Sequence, residues 1–128
     1  MKLFTPAYIS KLKIKNRVVM APVSTNFPNS EGEITLELVS FYVERAKSGV
    51  GLIILESTNV DFPLGKCGYT QIRLDDDKHM PGISELVEQI HENGVKIALQ
   101  FNYSGEIFGD TERSDLSLIY SSFFNDTQ

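Results

Sequence analysis

Tryptophan is absent from this chain of 128 residues, and cysteine occurs once, at Cys67. A single thiol cannot close an internal disulfide, which excludes a disulfide-stapled secreted scaffold. No apolar run approaches the ~18–20 residues needed to cross a bilayer, which excludes a helical membrane span. The opening segment MKLFTPAYIS has neither the apolar centre nor the small-residue cleavage site of a signal peptide. With the lone thiol, this leads to the expectation of a cytoplasmic protein. There is no glycine-rich phosphate loop and no G-x-S-x-G nucleophile elbow. Histidine occurs only at His79 and His91, and with Cys67 these show no metal-ligand spacing, so no metal site is expected.

Acid is missing from the first 30 residues, which hold Lys2, Lys11, Lys13, Lys15 and Arg17. With a net charge of −5 overall, the remaining residues carry −10, seven cations against seventeen acids. A basic arm of this kind can bind nucleic acid. However, Lys11, Lys13 and Lys15 alternate with Leu12 and Ile14, the pattern of a strand with one wet and one dry face. No nucleic-acid or membrane partner is therefore expected.

What is present is a core-forming composition, 41% hydrophobic, at the length of one ordinary domain. YISKLKIKNRVVMAP reads as two short strands around a turn at Lys15-Asn16, the second running on through Val18-Val19-Met20. A loop marked by Pro22, Pro28, Asn29 and Gly32 follows. A helix starts near Thr35, whose hydroxyl suits an N-cap, with Glu37 at the positive end of the dipole. Leu38, Phe41, Tyr42 and Ala46 give it an apolar face, and Gly49 terminates it. Val50 to Ser57 is an unbroken apolar run closed by Glu56 and Ser57, as in strands buried on both faces of a parallel sheet.

Asn59 to Leu74 reads as a long functional or mobile loop. Asp75-Asp76-Asp77 leads into a second helix. That acidic run suits a solvated helix entry better than a cation site. Pro81 fits the first helical turn. Ile83, Leu86, Val87 and Ile90 keep helical spacing to the stop at Asn93-Gly94. His79 belongs to the helix entry and His91 to the exposed last turn. Val95 to Phe101 forms a third strand. The fold class is α/β: a hairpin, then strands alternating with helices in βαβ order. In such folds ligands gather at the carboxyl ends of the strands. Those ends are Met20 to Ser24, Glu56-Ser57 and Gln100. Polar residues also end strands that bind nothing, and the spacing does not separate the two readings.

The residues carry a family resemblance. LFTPAYI, LKIKNRVVMAPVST, GEITLELVSFYVERAKSGVGLIILEST and RLDDDKHMPGISELVEQIHENGVKIALQF, in that order over about residues 2–105, resemble the N-terminal part of the Old Yellow Enzyme family of NADH:flavin oxidoreductases and ene-reductases. The resemblance implies the start of a TIM (β/α)8 barrel with FMN at its carboxyl face: the hairpin, about three strands and two helices. By position, Ala21, Pro22, Val23 and Ser24 would lie along the flavin. Ser24 stands where the family has Thr or Cys. Ser57 stands where a small Gly or Ala is usual, and Gln100 matches the glutamine that pairs with the pyrimidine edge. A dihydroorotate dehydrogenase barrel fits the D-D-D-K-H-M-P-G helix entry less well.

Two positions depart from the family pattern Q-L-x-H-x-G-R: Tyr103 replaces the histidine and Glu106 the arginine, which reverses the local charge. Residues 1–105 are read as the partial barrel and 106–128 as a divergent tail. A closed barrel needs roughly 250 residues. The family's substrate-binding His/Asn or His/His pair, tyrosine proton donor and phosphate site fall later in it, so no catalytic residue is assigned. The implied function is an N-terminal portion of an FMN-dependent oxidoreductase passing hydride from NAD(P)H through flavin to an activated alkene or related small-molecule acceptor. Alone, it is expected to be inactive, to bind FMN weakly or not at all, and to be poorly folded or oligomeric through open sheet edges. The alternatives are an assembly module completed by a second chain and a non-functional remnant of a disrupted gene.

Overall fold

The apolar run after Gly49 becomes the middle strand of a parallel sheet. The computed structural model describes residues 1–103. Strands β1 (Ala7–Ile9) and β2 (Leu12–Ile14) form an antiparallel hairpin. The parallel sheet comprises β3 (Val19–Met20), β4 (Leu52–Asn59), β5 (Ile72–Arg73) and β6 (Lys96–Asn102). Helix α1 (Leu36–Lys47) connects β3 to β4, and α2 (Met80–Glu92) connects β5 to β6. Because β6 runs along β4 from Leu52 to Asn59, β3 and β5 share the opposite edge of β4, at its start and its end respectively. This is the opening portion of a barrel; the described residues do not close it.

The hairpin differs from the sequence expectation. Its turn lies at Ser10-Lys11, with Ser10 at φ 52, and not at Lys15-Asn16. Val19–Met20 belongs to the parallel sheet instead. Asn16 is buried because its side chain joins two segments. Its amide donates to the Gly49 carbonyl at 2.7 Å, and its Oδ1 accepts from the Val18 amide at 3.0 Å. Those bonds turn the chain from hairpin to sheet.

Both helices follow their sequence signals. The Thr35 hydroxyl oxygen accepts from the Leu38 amide at 3.2 Å, capping α1. Gly49 (φ 99) and Gly94 (φ 66) supply the left-handed residues after α1 and α2. Leu38, Tyr42 and Ala46 of α1 and Ile83, Leu86 and Ile90 of α2 pack on Ile53 and Leu55 of β4, with Ile72 and Val95. Each fully buried Leu or Ile contributes about 1.5–3 kcal/mol by leaving water, so this layer holds the sheet to the helices.

The other face of the sheet is covered in part: Leu52 is buried at its start and the loop carrying Cys67 and Gln71 lies against Ser57, while its middle is open. Val19, Leu52 and Lys96 share one row across it, Ile54 and Ala98 the next, Ser57 and Gln100 the third, and Asn59 and Asn102 the last. Val19, Ala98 and Gln100 are exposed. The expected loop from Asn59 to Leu74 is shorter than read. β4 continues to Asn59, and β5 returns beside its end, where Leu74 N donates to Asn59 O at 2.8 Å. Ile72, fully buried, anchors this return, with Leu74 packed partly buried against the same core. The domain boundary at 105 and the tail 106–128 lie outside the described residues.

Candidate functional site

The carboxyl end of the sheet is shaped by an irregularity in β4. Leu55 pairs with Leu99 and Ser57 with Gln100, so Glu56 is an extra residue in the ladder. Such a bulge re-aims the side chains that follow it. Leu55 points into the helical layer, and Ser57 takes the uncovered face that regular alternation would have given to Glu56. Partners on a parallel ladder point to the same face, so Ser57 and Gln100 stand side by side there.

Ser57 is held from the loop after β4. Gln71, itself buried, donates from Nε2 to the Ser57 hydroxyl at 3.2 Å and accepts at Oε1 from the Cys67 amide at 3.0 Å. The exposed Cys67 thiol lies 3.7 Å from the Ser57 hydroxyl. Gln71 therefore uses both ends of its amide to fix the loop and to occupy one acceptor position of Ser57.

Glu56, although it closes the apolar run, turns inward. It is 2% exposed. Its carboxylate accepts from the Thr25 amide at 3.0 Å, the Thr25 hydroxyl at 2.7 Å and the Tyr42 hydroxyl at 3.2 Å. Three convergent donors offset the desolvation of the carboxylate. Burial pushes the Tyr42 phenol well above its ordinary range, and the adjacent carboxylate adds to the shift. Through Thr25 the carboxylate holds the segment after β3. In that segment Ala21, Val23 and Ser24 are exposed and Pro22 is half-buried.

The residues singled out in the sequence thus fall at one end of the sheet, on two supports. Ser57 and Gln100 share a rung, and Ala21 to Ser24 are joined to the same strand through Thr25 and Glu56. Thr25, Gln71 and Tyr42 carry no sequence signal of this role, because the contacts joining them span 14 to 31 positions.

The acidic run is a helix entry, with an added ion pair. Arg73 donates from Nε and Nη2 to Asp75 at 2.8 and 2.7 Å, and its guanidinium carbon sits 3.9 Å from the centre of the Phe62 ring. That guanidinium holds the Asp75 carboxyl below its ordinary range. Asp76 caps the following turn by accepting from the Lys78 amide at 2.9 Å. A surface hollow of about 430 Å³ is lined by Leu74, Asp75, Asp76, Asp77 and Met80. Among the described residues, no three His, Cys, Asp or Glu side chains are grouped to hold a metal ion. His79 is buried in the turn leading into α2, and His91 is exposed in the last turn of α2. Tyr103 lies against Gly65, whose added Cβ would sit 2.9 Å from its ring. Glu106 lies outside the described residues.

Comparison with known proteins gives one consistent result. The profile of the NADH:flavin oxidoreductase / NADH oxidase family matches residues 2–121. An NADH oxidase from Thermoanaerobacter brockii is 48% identical over 103 residues, 80% of this chain and 16% of the relative. An NADPH dehydrogenase from Bacillus subtilis is 36% identical over 113 residues, 85% of this chain and 33% of the relative. Among solved structures, an Old Yellow Enzyme from a Pichia species superposes with a TM-score of 0.74 at 27% identity, covering 80% of this chain and 26% of that one. The chain therefore spans a third or less of the length of these relatives. No helix among the described residues is long and apolar enough to cross a membrane.

Proposed function

The chain belongs to the NADH:flavin oxidoreductase / NADH oxidase family, and from that premise we propose that it is the N-terminal portion of an FMN-dependent barrel enzyme, contributing the ring side of the cofactor site. The observation that carries this reading is the Ser57–Gln100 rung at the carboxyl end of the uncovered sheet face. Gln100 offers an amide donor and an amide acceptor, the complement of a heteroaromatic edge with alternating carbonyl and imino groups. Ser57 adds a hydroxyl beside it, and Ala21 leaves room for a flat ring. These residues fit a flavin ring. The phosphate end would need partners beyond them, since the sequence has no glycine-rich phosphate loop.

In this reading, Gln100 holds the pyrimidine edge of FMN. Ser24 donates to a ring carbonyl, and Ala21, Pro22, Val23 and Ser57 form the surface under the ring. FMN, when bound, supplies the redox chemistry, taking hydride from NAD(P)H and passing it to an activated alkene or related acceptor. This chain's own part is to orient the ring, keep water from one of its faces and favour negative charge at its edge. With only the ring contacts, binding is weak and the chain is inactive alone. The lone thiol, Cys67, supports a cytoplasmic setting.

A titration of FMN fluorescence with the full chain, repeated with Gln100→Leu, tests the reading. Weak quenching that the substitution abolishes is the expected result. No quenching at any protein concentration, or equal quenching by both proteins, overturns it.

A second reading has its own observation. Among the described strands, β6 pairs on one edge only, with β4. A separate chain carrying further parallel strands would dock there and complete the barrel. Flavin binding that appears only on mixing the two chains would support this second reading.

A further inference from the structure

We infer that Glu56 is the positioning residue of the cofactor face: its carboxylate sets the segment Ala21 to Thr25 and the Ser57–Gln100 rung in one fixed relation. The inference deepens the flavin reading and rests on it for the identity of the ligand.

Two effects converge on this side chain. The first is the bulge. An extra residue in a ladder needs somewhere to go, and Glu56 turns to Tyr42 and Thr25. With Glu56 held off the uncovered face, Ser57 occupies Gln100's rung. The second is the loop after β3. Both the amide and the hydroxyl of Thr25 donate to the carboxylate. The Thr25 hydroxyl oxygen also accepts from the Phe27 amide at 3.1 Å, and the Phe27 carbonyl accepts from the Thr35 hydroxyl at 2.8 Å. Residues 25–27 are thereby held between β4 and the start of α1, which sets the direction of the preceding Ala21 to Ser24. Glu56 itself touches none of the proposed ring contacts, so it acts through Thr25 and through the register of β4.

A carboxylate suits this task better than an amide. All three partners donate, and an ionised carboxylate is an acceptor at both oxygens. Glu56→Gln turns one of these acceptors into a donor, so either the Thr25 amide faces an NH2 group or both hydroxyls must give up donating to this side chain. Thr25→Val keeps the side-chain shape and removes one donor, and Thr25→Ser restores it.

Amide hydrogen exchange of the full chain, read by mass spectrometry with and without excess FMN, tests the inference. In the wild type, FMN is expected to slow exchange in residues 20–25 and 96–102. Glu56→Gln and Thr25→Val are expected to speed exchange over residues 21–27 by about tenfold or more, the loss of a buried charge-assisted bond, while α1 and α2 stay unchanged. Both variants should lose the FMN protection at 96–102, and Thr25→Ser should keep it. If both variants are protected by FMN as the wild type is, the inference fails and the flavin reading stands. Exchange that rises equally throughout α1 and α2 makes Glu56 a general stabiliser and also overturns it. If FMN protects nothing in the wild type, the flavin reading fails and takes this inference with it.

Discussion

The Tyr42 hydroxyl and Glu56 are bonded in both directions: the phenol donates to the carboxylate at 3.2 Å and accepts from the Glu56 backbone amide at 3.2 Å. One side chain of α1 therefore satisfies a buried backbone donor made irregular by the bulge. Tyr42→Phe keeps the ring and leaves that amide without a partner. The expected loss is about 1–3 kcal/mol, the usual cost of an unsatisfied buried group. It should appear as a lower urea midpoint at unchanged m-value.

The Arg73–Asp75 pair makes stability depend on acid. The guanidinium favours the ionised carboxylate, so the folded pKa of Asp75 lies below its ordinary value of 3.8. A depressed folded pKa contributes stability that is present above the unfolded value and is lost as pH falls through the folded one. Asp75→Asn should therefore lower stability at neutral pH and flatten its fall in acid. Urea unfolding of both proteins at about pH 6 and about pH 2.5 checks this, because the gap between them must shrink as the carboxylate protonates. A gap that stays constant would contradict the assignment.

Much of the fold was legible because it is written in local pattern. Thr35, Gly49, Pro81 and Gly94 mark helix ends by their own backbone preferences. The Leu38–Tyr42 and Ile83–Ile90 stripes mark the buried faces by spacing. The hairpin turn is not legible at its true place because Asn16 looks like a turn residue, yet its amide is spent on Gly49, 33 positions away. β5 is not legible because a two-residue strand has no period to read. At the candidate site, Ser57 and Gln100 stood out as polar ends of apolar runs. Their shared rung could not be read, since it depends on a one-residue bulge, and neither could the inward turn of Glu56, which depends on Thr25 and Tyr42.

Gly51, immediately before β4, lies at a close approach of two backbones. A Cβ there would meet the Asn16 carbonyl oxygen and its side-chain Oδ1. Neither neighbour can move freely. The carbonyl belongs to the chain entering the sheet, and Oδ1 accepts from Val18. Gly51→Ala is expected to destabilise by about 1–3 kcal/mol, as overpacking does. Gly68→Ala, with nothing within 4 Å of the added Cβ, is the control and should change the thermal midpoint little.

The uncovered sheet face should govern the association of the chain in solution. Val19 is 44% exposed, and Ala98 and Gln100 stand open beside the half-buried Ile54. Apolar rows next to a strand edge favour pairing with another polypeptide. Sedimentation velocity on the full chain is therefore expected to show reversible oligomers that grow with concentration. Ala98→Lys puts a charge at the centre of that face without entering the helical layer, because Ala98 alternates with Ile97 and Leu99, which pack there. The variant should shift the distribution toward monomer with the far-ultraviolet circular dichroism unchanged. A wild type that remains a monodisperse monomer carrying stoichiometric flavin would contradict both the association and the weak cofactor binding, since such a protein would have to cover this face and grip the whole of FMN by itself.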